Sequence, residues 1–320
     1  MANPKILAIG AATQDVFLSG RVFKPVKDEG VLEEQFELGA KLEVDGITFS
    51  TGGGASNAAV TFARQGLDSS FIGYVGNDPA GAAVLADFDE EHVDASGIIH
   101  TDKEPTGYSV ILLAPNGERT ILVYRGASAH YKQKDLDLKH VDADWLYLSS
   151  FAGQIDILEH LVTQAAKQGI KVALNPGKGE LAHAAKLRAL LDDITLLAAN
   201  KEEMGKLVEG ESAEELARHA ANLVEYAIVT DGPRGEVAVG NGKVVKGGMY
   251  EDVKVVDRLG AGDAFNSGFT SQIALGKTLE EAVTFASANS TSVVSTIGAK
   301  AGILHRGAKL HGMELKIKSL

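Results

Sequence analysis

The sequence has no cysteine among its 320 residues. Disulfide bonds, zinc sites built on cysteine and thiol nucleophiles are therefore excluded. It also has no apolar run near the roughly 20 residues of a membrane-spanning helix, and no basic segment with a long apolar core at its start. We therefore expect a cytoplasmic protein with no membrane partner.

Positive charge is scarce as well, because 31 Lys and Arg stand against 43 Asp and Glu, for a formal net charge of -12. Such a chain is a poor binder of the nucleic-acid backbone, although a small phosphate ligand needs only local donors. Apolar residues make up 45%, which is typical of a globular protein. We expect residues 1–320 to form one large α/β domain.

Strand-like and helix-like segments alternate along most of the chain. The predicted strands lie at 5–10, 70–75, 145–149, 171–175, 194–199 and 227–230, with a hairpin at 237–246. The predicted helices lie at 56–65, 78–92 (capped by Asp78), 155–168, 213–225, 264–275 and 279–296. Strands that alternate with helices require crossover connections, so the pattern predicts a mostly parallel sheet covered on both faces.

Two segments, about 16–50 and 104–126, interrupt this alternation. Both contain extended pieces without a clear crossover helix, and the second carries Asn116-Gly117 between two apolar runs, a strong hairpin signal. We predict that the two segments form one small β-sheet projecting from the main body. The alternative is a pair of unrelated surface loops.

A dense cluster of small residues lies at 257–265, after a strand-like stretch at 253–256 and at the start of a helix. Gly260, Ala261 and Gly262 let the backbone approach a ligand closely. The first N–H groups of a helix have no internal partner, and with the helix dipole they favour an anion such as phosphate. Asp263 would repel that phosphate, but it suits a base if a substrate hydroxyl lies between them. The alternative is that Asp263 only caps the helix.

A second glycine cluster, at 52–54, leads into another helix. Gly53 permits tight backbone geometry beside a ligand, and Asn57 can hydrogen-bond a polyol. The alternative is an ordinary helix start.

Together these motifs resemble the signatures of the ribokinase-like (PfkB) kinase family, and the resemblance extends from near the first residue to about Gly302. The C-terminal signature, Asp-Thr-x-Gly-Ala-Gly-Asp-x-Phe, matches from Asp257 to Phe265, and the N-terminal Gly-Gly pair followed by Asn matches from Gly52 to Asn57. The resemblance implies a three-layer α/β/α sandwich with a small β-sheet lid. It also implies an ATP-dependent kinase that acts on an alcohol group of a carbohydrate.

The resemblance further implies roles for residues outside the two signatures. Asp15, expected at the end of the first strand, corresponds to an Asp that binds sugar hydroxyls. Asn200 and Glu203 match an Asn-x-x-Glu motif that organises Mg²⁺ through water, although Asn200 alone would suggest a helix cap. The implied nucleotide-binding positions are Thr230, Gly232, Gly235 and Asn289, the last on the adenine side.

The chain also departs from the family pattern. Arg258 and Leu259 replace small polar residues beside Asp257, where members of the family often bind a monovalent cation such as K⁺. Gly54 stands where some ribokinases carry a Lys, which removes one sugar contact.

The implied mechanism is direct phosphoryl transfer. Backbone donors at 260–263 hold the transferring phosphate and Asp263 takes the hydroxyl proton. The lid excludes water and, as in much of the family, mediates a homodimer.

Several residues of the sequence are candidates for binding the substrate. Tyr124-Arg125 resembles a stretch of 2-keto-3-deoxygluconate kinases, so Arg125 is a candidate partner for a sugar-acid carboxylate, or else a solvated loop residue. Tyr108, with Phe17, Phe36 and Tyr124, can stack a nucleoside base or simply pack the lid. We rank a sugar or sugar acid first and a nucleoside second, with a non-catalytic sugar or nucleotide sensor as a remote alternative.

Overall fold

The computed structural model describes residues 3–116, 118–248, 250, 253–310 and 312–320. The strands along the chain are β1 (Lys5–Ile9), β2 (Thr13–Ser19), β3 (Val26–Asp28), β4 (Val31–Glu33), β5 (Gly46–Gly52), β6 (Asp68–Ile72), β7 (Tyr74–Gly76), β8 (Ile99–Thr101), β9 (Gly107–Leu113), β10 (Arg119–Tyr124), β11 (Trp145–Leu148), β12 (Lys171–Leu174), β13 (Leu196–Asn200), β14 (Tyr226–Thr230), β15 (Glu236–Gly240), β16 (Lys243–Gly247) and β17 (Lys316–Ser319). The helices are α1 (Gly54–Arg64), α2 (Pro79–Glu90), α3 (Ile155–Gln168), α4 (Lys178–Leu181), α5 (Ala184–Arg188), α6 (Lys201–Met204), α7 (Ala213–Ala220), α8 (Ala261–Ala274) and α9 (Leu279–Val294). Of these helices, none is long and apolar enough to cross a membrane.

The main sheet has nine strands in the order β17-β16-β15-β14-β13-β12-β11-β1-β6. The strands from β14 to β6 pair in parallel, while β15, β16 and β17 add an antiparallel edge. Because the parallel strands all end at one edge, their carboxyl ends gather the polar residues that follow them.

Alternating side chains of β1 enter two separate cores. Ile6 and Ala8 pack in the core that contains α1, α8 and α9, whereas Leu7 and Ile9 pack in the core that contains α3 and α7. Successive side chains of a strand point to opposite faces, so the sheet is covered by helices on both. The predicted three-layer α/β/α sandwich is confirmed.

A second sheet of four strands, in the order β10-β9-β2-β5, stands apart from the main sheet. It joins the two interrupting segments, since β2 pairs with β5 from the first and with β9 from the second. The β9–β10 pairing confirms the predicted hairpin, with Arg119 opposite Leu113, although the turn residue Gly117 lies outside the described residues. We call this sheet the lid.

Local signals gave some boundaries correctly and others incorrectly. Helix α3 has the predicted bounds, and Asp78 caps α2 by accepting a hydrogen bond from the Gly81 N–H at 2.8 Å. The strand predicted at 253–256 is wrong, because that stretch pairs with no strand. Instead, the N–H groups of Val256 and Asp257 both donate to the carbonyl of Val294, at the end of α9. Strand β17 has no counterpart among the predicted elements.

A buried ammonium group ties the lid to the helical layer. Lys300 is 4% exposed, and its Nζ donates to the hydroxyls of Thr51 at 2.8 Å and Ser56 at 2.7 Å and to the Asp87 carboxylate at 2.6 Å. Thr51 belongs to the lid strand β5, Ser56 to α1 and Asp87 to α2. Burial lowers the pKa of Lys300, while the Asp87 charge opposes that shift. The ammonium group is therefore a satisfied cation on which three elements converge.

Replacing Lys300 should destabilise the protein. We expect Lys300→Met to lower the free energy of unfolding by about 3 kcal/mol, because it leaves Asp87 without its cation and two hydroxyls without their donor. Urea unfolding followed by circular dichroism measures the change, and Lys300→Met with Asp87→Asn should recover part of the loss. Lys206→Met, in an exposed pair with Glu202, is the matched control and should have little effect. An equally small effect at Lys300 would contradict its structural role.

Candidate active site

The N-terminus of α8 is shaped by a glycine. Gly260 precedes the helix with φ 77°, and a Cβ at this position would collide with Ala299. Only glycine combines this left-handed backbone with so close an approach. Among the described residues, the N–H groups of Gly262 and Asp263 have no hydrogen-bond partner. Two unpaired donors thus stand at the positive end of a 14-residue helix.

Two clefts lie on either side of this helix terminus. The lid cleft, of about 280 Å³, runs under the lid and is lined by Leu259, Gly260 and Asp263 together with Asp15, Gly53, Asn57 and Arg125. The sheet-edge cleft, of about 270 Å³, lies between β14 and α9 and is lined by Ala261 and Gly262 together with Thr230, Gly232 and Gly235. A phosphate held by the helix terminus would therefore face both clefts.

Two carboxylates face the lid cleft, that of the buried Asp15 and that of the half-buried Asp263. Asp263 Oδ2 accepts a hydrogen bond from Asn57 Nδ2 at 2.8 Å, and Asp15 Oδ1 accepts one from the Thr13 hydroxyl at 3.0 Å. Burial raises the pKa of Asp263, the Asn57 hydrogen bond lowers it, and the Asp15 charge raises it. The raised pKa makes Asp263 a stronger base than an exposed aspartate.

Asp15 lies within the lid strand β2 and not at the end of β1. Burial raises the pKa of Asp15, whereas hydrogen bonds from Ser109 and Thr13 and the charge of Lys300 lower it. The Asp15 carboxylate is thus held by neighbours from the lid, beside the same cleft as Asp263.

The sheet-edge cleft is mostly apolar. Val253, Val255, Phe265 and Val294 line it, and the turn from Gly232 to Gly235 forms its rim. Gly235 has φ 82°, and a Cβ there would collide with the carbonyl of Gly247. An apolar slot that ends at a helix N-terminus suits a flat ring joined to phosphates.

A match to a known family identifies the class of protein to which these two clefts belong. The family model described as pfkB family carbohydrate kinase matches residues 29–306. The chain belongs to the pfkB family of carbohydrate kinases.

Individual relatives agree with this family. Ribokinase from Haemophilus influenzae is 29% identical over 276 residues, covering 82% of this chain and 87% of the relative. An ATP-dependent ribose-1-phosphate kinase from Halopiger xanaduensis is 28% identical over 254 residues, covering 78% and 82%. The fold is similar to that of Arabidopsis thaliana ribokinase in complex with ribose and ATP, with a TM-score of 0.75 and 24% identity over 96% of this chain and 97% of the other. The predicted family, fold and kinase class are thereby confirmed.

The pfkB signatures and most other predicted site residues lie around the two clefts, but Tyr108 does not line the lid cleft. Its neighbour Ser109 does, and it hydrogen-bonds Asp15. Adjacent residues of a strand point to opposite faces, so Tyr108 faces away from the cleft while Ser109 faces it. Phe17 is 1% exposed and packs as a core residue, which leaves Tyr124 as the aromatic residue that borders the cleft.

Asn289 is also displaced from its predicted contact with the nucleotide. It is fully buried, its Nδ2 donates to the carbonyl of Ala264 at 2.8 Å, and its Oδ1 accepts from the Leu304 N–H at 2.8 Å. Its amide thus joins α9 to α8, and Ser287, Ser290 and Thr291 of the same helix border the sheet-edge cleft instead.

Asn200 and Glu203 lie at the carboxyl edge of the sheet, where Asn200 pairs with Thr230. They form a capping box, because Asn200 Oδ1 accepts from the Glu203 N–H at 2.9 Å and Glu203 Oε2 accepts from the Asn200 N–H at 3.1 Å. Neither residue lines a cleft directly. The second carboxylate oxygen of Glu203 has no protein partner among the described residues, so the pair fits a hydrated Mg²⁺ held through water.

Asp257 is surrounded by protein donors. Its Oδ1 accepts from the Leu259 N–H at 3.0 Å, its Oδ2 accepts from the Gly298 N–H at 3.3 Å, and Arg119 Nε lies 4.0 Å from Oδ1. The side chain of Asp257 is 1% exposed. Both carboxylate oxygens of Asp257 thus accept from backbone N–H groups, and a monovalent cation beside this residue stays a prediction.

The Asn57 hydrogen bond should set the acid limb of the pH–rate profile. In Asn57→Ala the contact that lowers the pKa of Asp263 is lost, so the pH below which kcat/KM falls should move upward. Initial rates between pH 4.5 and 8 would measure this shift. A higher KM with an unmoved acid limb would mean that Asn57 only contacts substrate.

Proposed function

We propose that this protein is an ATP-dependent kinase that phosphorylates a hydroxyl of a small sugar or sugar acid by direct in-line transfer. The supporting observation is the N-terminus of α8, which presents unpaired N–H donors between two clefts and places Asp263 in one of them. The lid cleft takes the acceptor, and the sheet-edge cleft takes the nucleotide.

Each group at the N-terminus of α8 has a separate role in the proposed phosphoryl transfer. The N–H groups of Gly262 and Asp263 stabilise the negative charge of the transferring phosphate. Asp263 accepts the proton of the acceptor hydroxyl as the new O–P bond forms and the bond to the leaving ADP breaks. Asn57 holds the Asp263 carboxylate in place. Mg²⁺, held through water by Asn200 and Glu203, would supply neutralising charge to the nucleotide phosphates.

The lid cleft suits a polyol that carries an acidic group. Asp15, Ser109 and Thr13 offer hydrogen-bonding groups, while Arg125 is exposed at the cleft without a side-chain partner among the described residues. A guanidinium in this position can bind a carboxylate or a phosphate bidentately. The ribose-1-phosphate kinase relative acts on a sugar with an anionic group, which supports the same reading.

A nucleoside is the second candidate for the acceptor. Tyr124 borders the lid cleft beside Ile121 and Val123, and these residues offer an apolar wall for a base. A non-catalytic sensor is disfavoured, because such a protein need not keep both Asp263 and the Asn200–Glu203 pair.

Removing the proposed base should abolish turnover without removing the nucleotide. We expect Asp263→Asn to lower kcat by about 10²–10⁴-fold while ADP binding, measured by calorimetry, stays within a factor of a few. ADP release would be assayed with ribose, fructose, fructose 6-phosphate, 2-keto-3-deoxygluconate, adenosine and cytidine. Near-normal turnover in Asp263→Asn would refute the base, and activity with nucleosides alone would promote the second candidate.

We further propose that two copies of the chain associate through the lid. Ile47, Phe49 and Leu122 are 56%, 63% and 56% exposed on the lid face opposite Asp15. An apolar sheet face of this kind is typical of a protein interface, and a second copy presents the same face.

Charge on this lid face should separate the copies. We expect light scattering after gel filtration to give a mass near twice 33.6 kDa for the native protein and near 33.6 kDa for Phe49→Asp. Ile317→Asp, at an equally exposed apolar site on β17, is the control and should leave the mass unchanged. A native protein that elutes as a single chain would overturn the dimer.

A further inference from the structure

A buried carboxylate lies in the wall of the sheet-edge cleft. Glu236, the first residue of β15, is 6% exposed and lines the cleft beside Phe265 and Ser287. Among the described residues that line this cleft, Glu236 is the only acidic one. Its Oε1 accepts a hydrogen bond from the Ser287 hydroxyl, and its other oxygen has no hydrogen-bond partner in the described part of the chain. An acidic group is costly to bury in an apolar slot. Its second oxygen is available to a ligand that enters the cleft.

The surroundings of Glu236 bring the pKa of its carboxyl group close to neutral pH. Burial raises its pKa to about 7, while the Ser287 hydrogen bond opposes the rise. The residues opposite it in the sheet are uncharged, namely Thr230 of β14 and Gly247 of β16. Tyr250 is the other titratable group of the cleft that its charge affects, and Arg258 lines the same cleft but is exposed.

Charged groups also border Glu236 on its other side. There a second cavity contains Asp231, Arg234, Glu214, Lys246, Glu314 and Lys316. These side chains are largely paired with one another, as in Arg234 with Asp231 and Lys246 with Glu214. Burial is therefore the main cause of the raised pKa of Glu236.

A carboxyl group distinguishes the two purine bases by its protonation state. An ionised carboxylate only accepts hydrogen bonds, and it matches the adjacent N1–H and amino donors of guanine. A neutral carboxylic acid both donates and accepts, and it matches the N1 acceptor and amino donor of adenine. A good bidentate contact of this kind discriminates between bases by about 1–3 kcal/mol.

We propose that Glu236 selects the purine base of the phosphate donor, so that the kinase prefers adenine nucleotides when Glu236 is neutral and accepts guanine nucleotides when it is ionised. This inference rests on the proposed function in one respect, which is that a nucleotide occupies the sheet-edge cleft. It names Glu236 as a specificity residue with no part in the chemical step.

Equilibrium binding of ADP and GDP tests the proposal without any turnover. Calorimetry with MgCl₂ at pH 6 and pH 8 gives the dissociation constants of ADP and GDP and hence their ratio. Because ADP and GDP carry the same diphosphate, the effect of phosphate titration largely cancels in this ratio. For a pKa of about 7, the ionised fraction rises from about one tenth to about nine tenths between these pH values. We expect the preference for GDP over ADP to rise at least tenfold in the native protein. In Glu236→Gln, whose amide keeps one donor and one acceptor, the ratio should not change with pH.

Two further measurements sharpen the test. Ser287→Ala removes the contact that lowers the pKa of Glu236, so the change in preference should occur at higher pH. Glu236→Gln should raise the melting temperature more at pH 8 than at pH 5.5, because a carboxyl with a raised pKa destabilises the folded state as pH rises above its unfolded value.

Each outcome of the binding test is decisive. A native ratio that is flat with pH, or an equal pH dependence in a Glu236→Gln protein that is folded, would overturn the inference. Binding that follows the expected pattern in a protein that phosphorylates no sugar would support Glu236 and refute the proposed function. If neither ADP nor GDP binds, both proposals fail.

Discussion

The contact of Gly260 with Ala299 is the constraint on which the rest of the site depends. A side chain at position 260 would push the turn away from Ala299 and move the first residues of α8. Those residues form the wall between the two clefts, supply the unpaired N–H donors and carry Asp263. One backbone conformation, open only to glycine, thus sets the distance between a bound phosphate and the base that would act beside it.

Three aspartates gather near this turn, of which Asp15 and Asp257 are buried and Asp263 is half-buried, and the negative charge of each is compensated differently. Asp15 faces hydroxyls and the distant charge of Lys300, Asp257 faces backbone N–H groups and Arg119, and Asp263 has a single hydrogen bond from Asn57. The least compensated of the three, Asp263, is the one that the proposed mechanism requires as a base. Stronger compensation would hold Asp263 as a weak base, since each favourable contact with the ionised form lowers its pKa.

Periodicity was sufficient to predict a mostly parallel sheet covered on both faces, and a hairpin signal helped to predict the small lid sheet, because both follow from local pattern. The glycine motifs predicted Gly53, Asn57 and residues 260–263, whereas Asp15, Thr230, Gly232 and Gly235 were predicted only from the resemblance to the family. Side-chain direction was not predictable in the same way. Tyr108 and Ser109 are adjacent, and only the register of β9 against β2 decides which one faces Asp15. Asn289 lies on α9, which borders the sheet-edge cleft, but its side chain lies on a face of this helix that contacts α8 and not the cleft. Lys300 and Glu236 carry no motif, and their roles arise from burial among residues distant in sequence.

Residues 298–300 join the lid to the turn that precedes α8. The Gly298 N–H donates to Asp257, Ala299 packs on Gly260, and Lys300 donates to Thr51 in the lid strand β5. A displacement of β5 must therefore either break the buried Lys300 contact or pull on the segment that supports Gly260. Arg119, at the start of the lid strand β10, approaches Asp257 from the lid side. The lid thus contacts both flanks of the turn, so the position of the lid and the shape of the turn are parts of one packed unit.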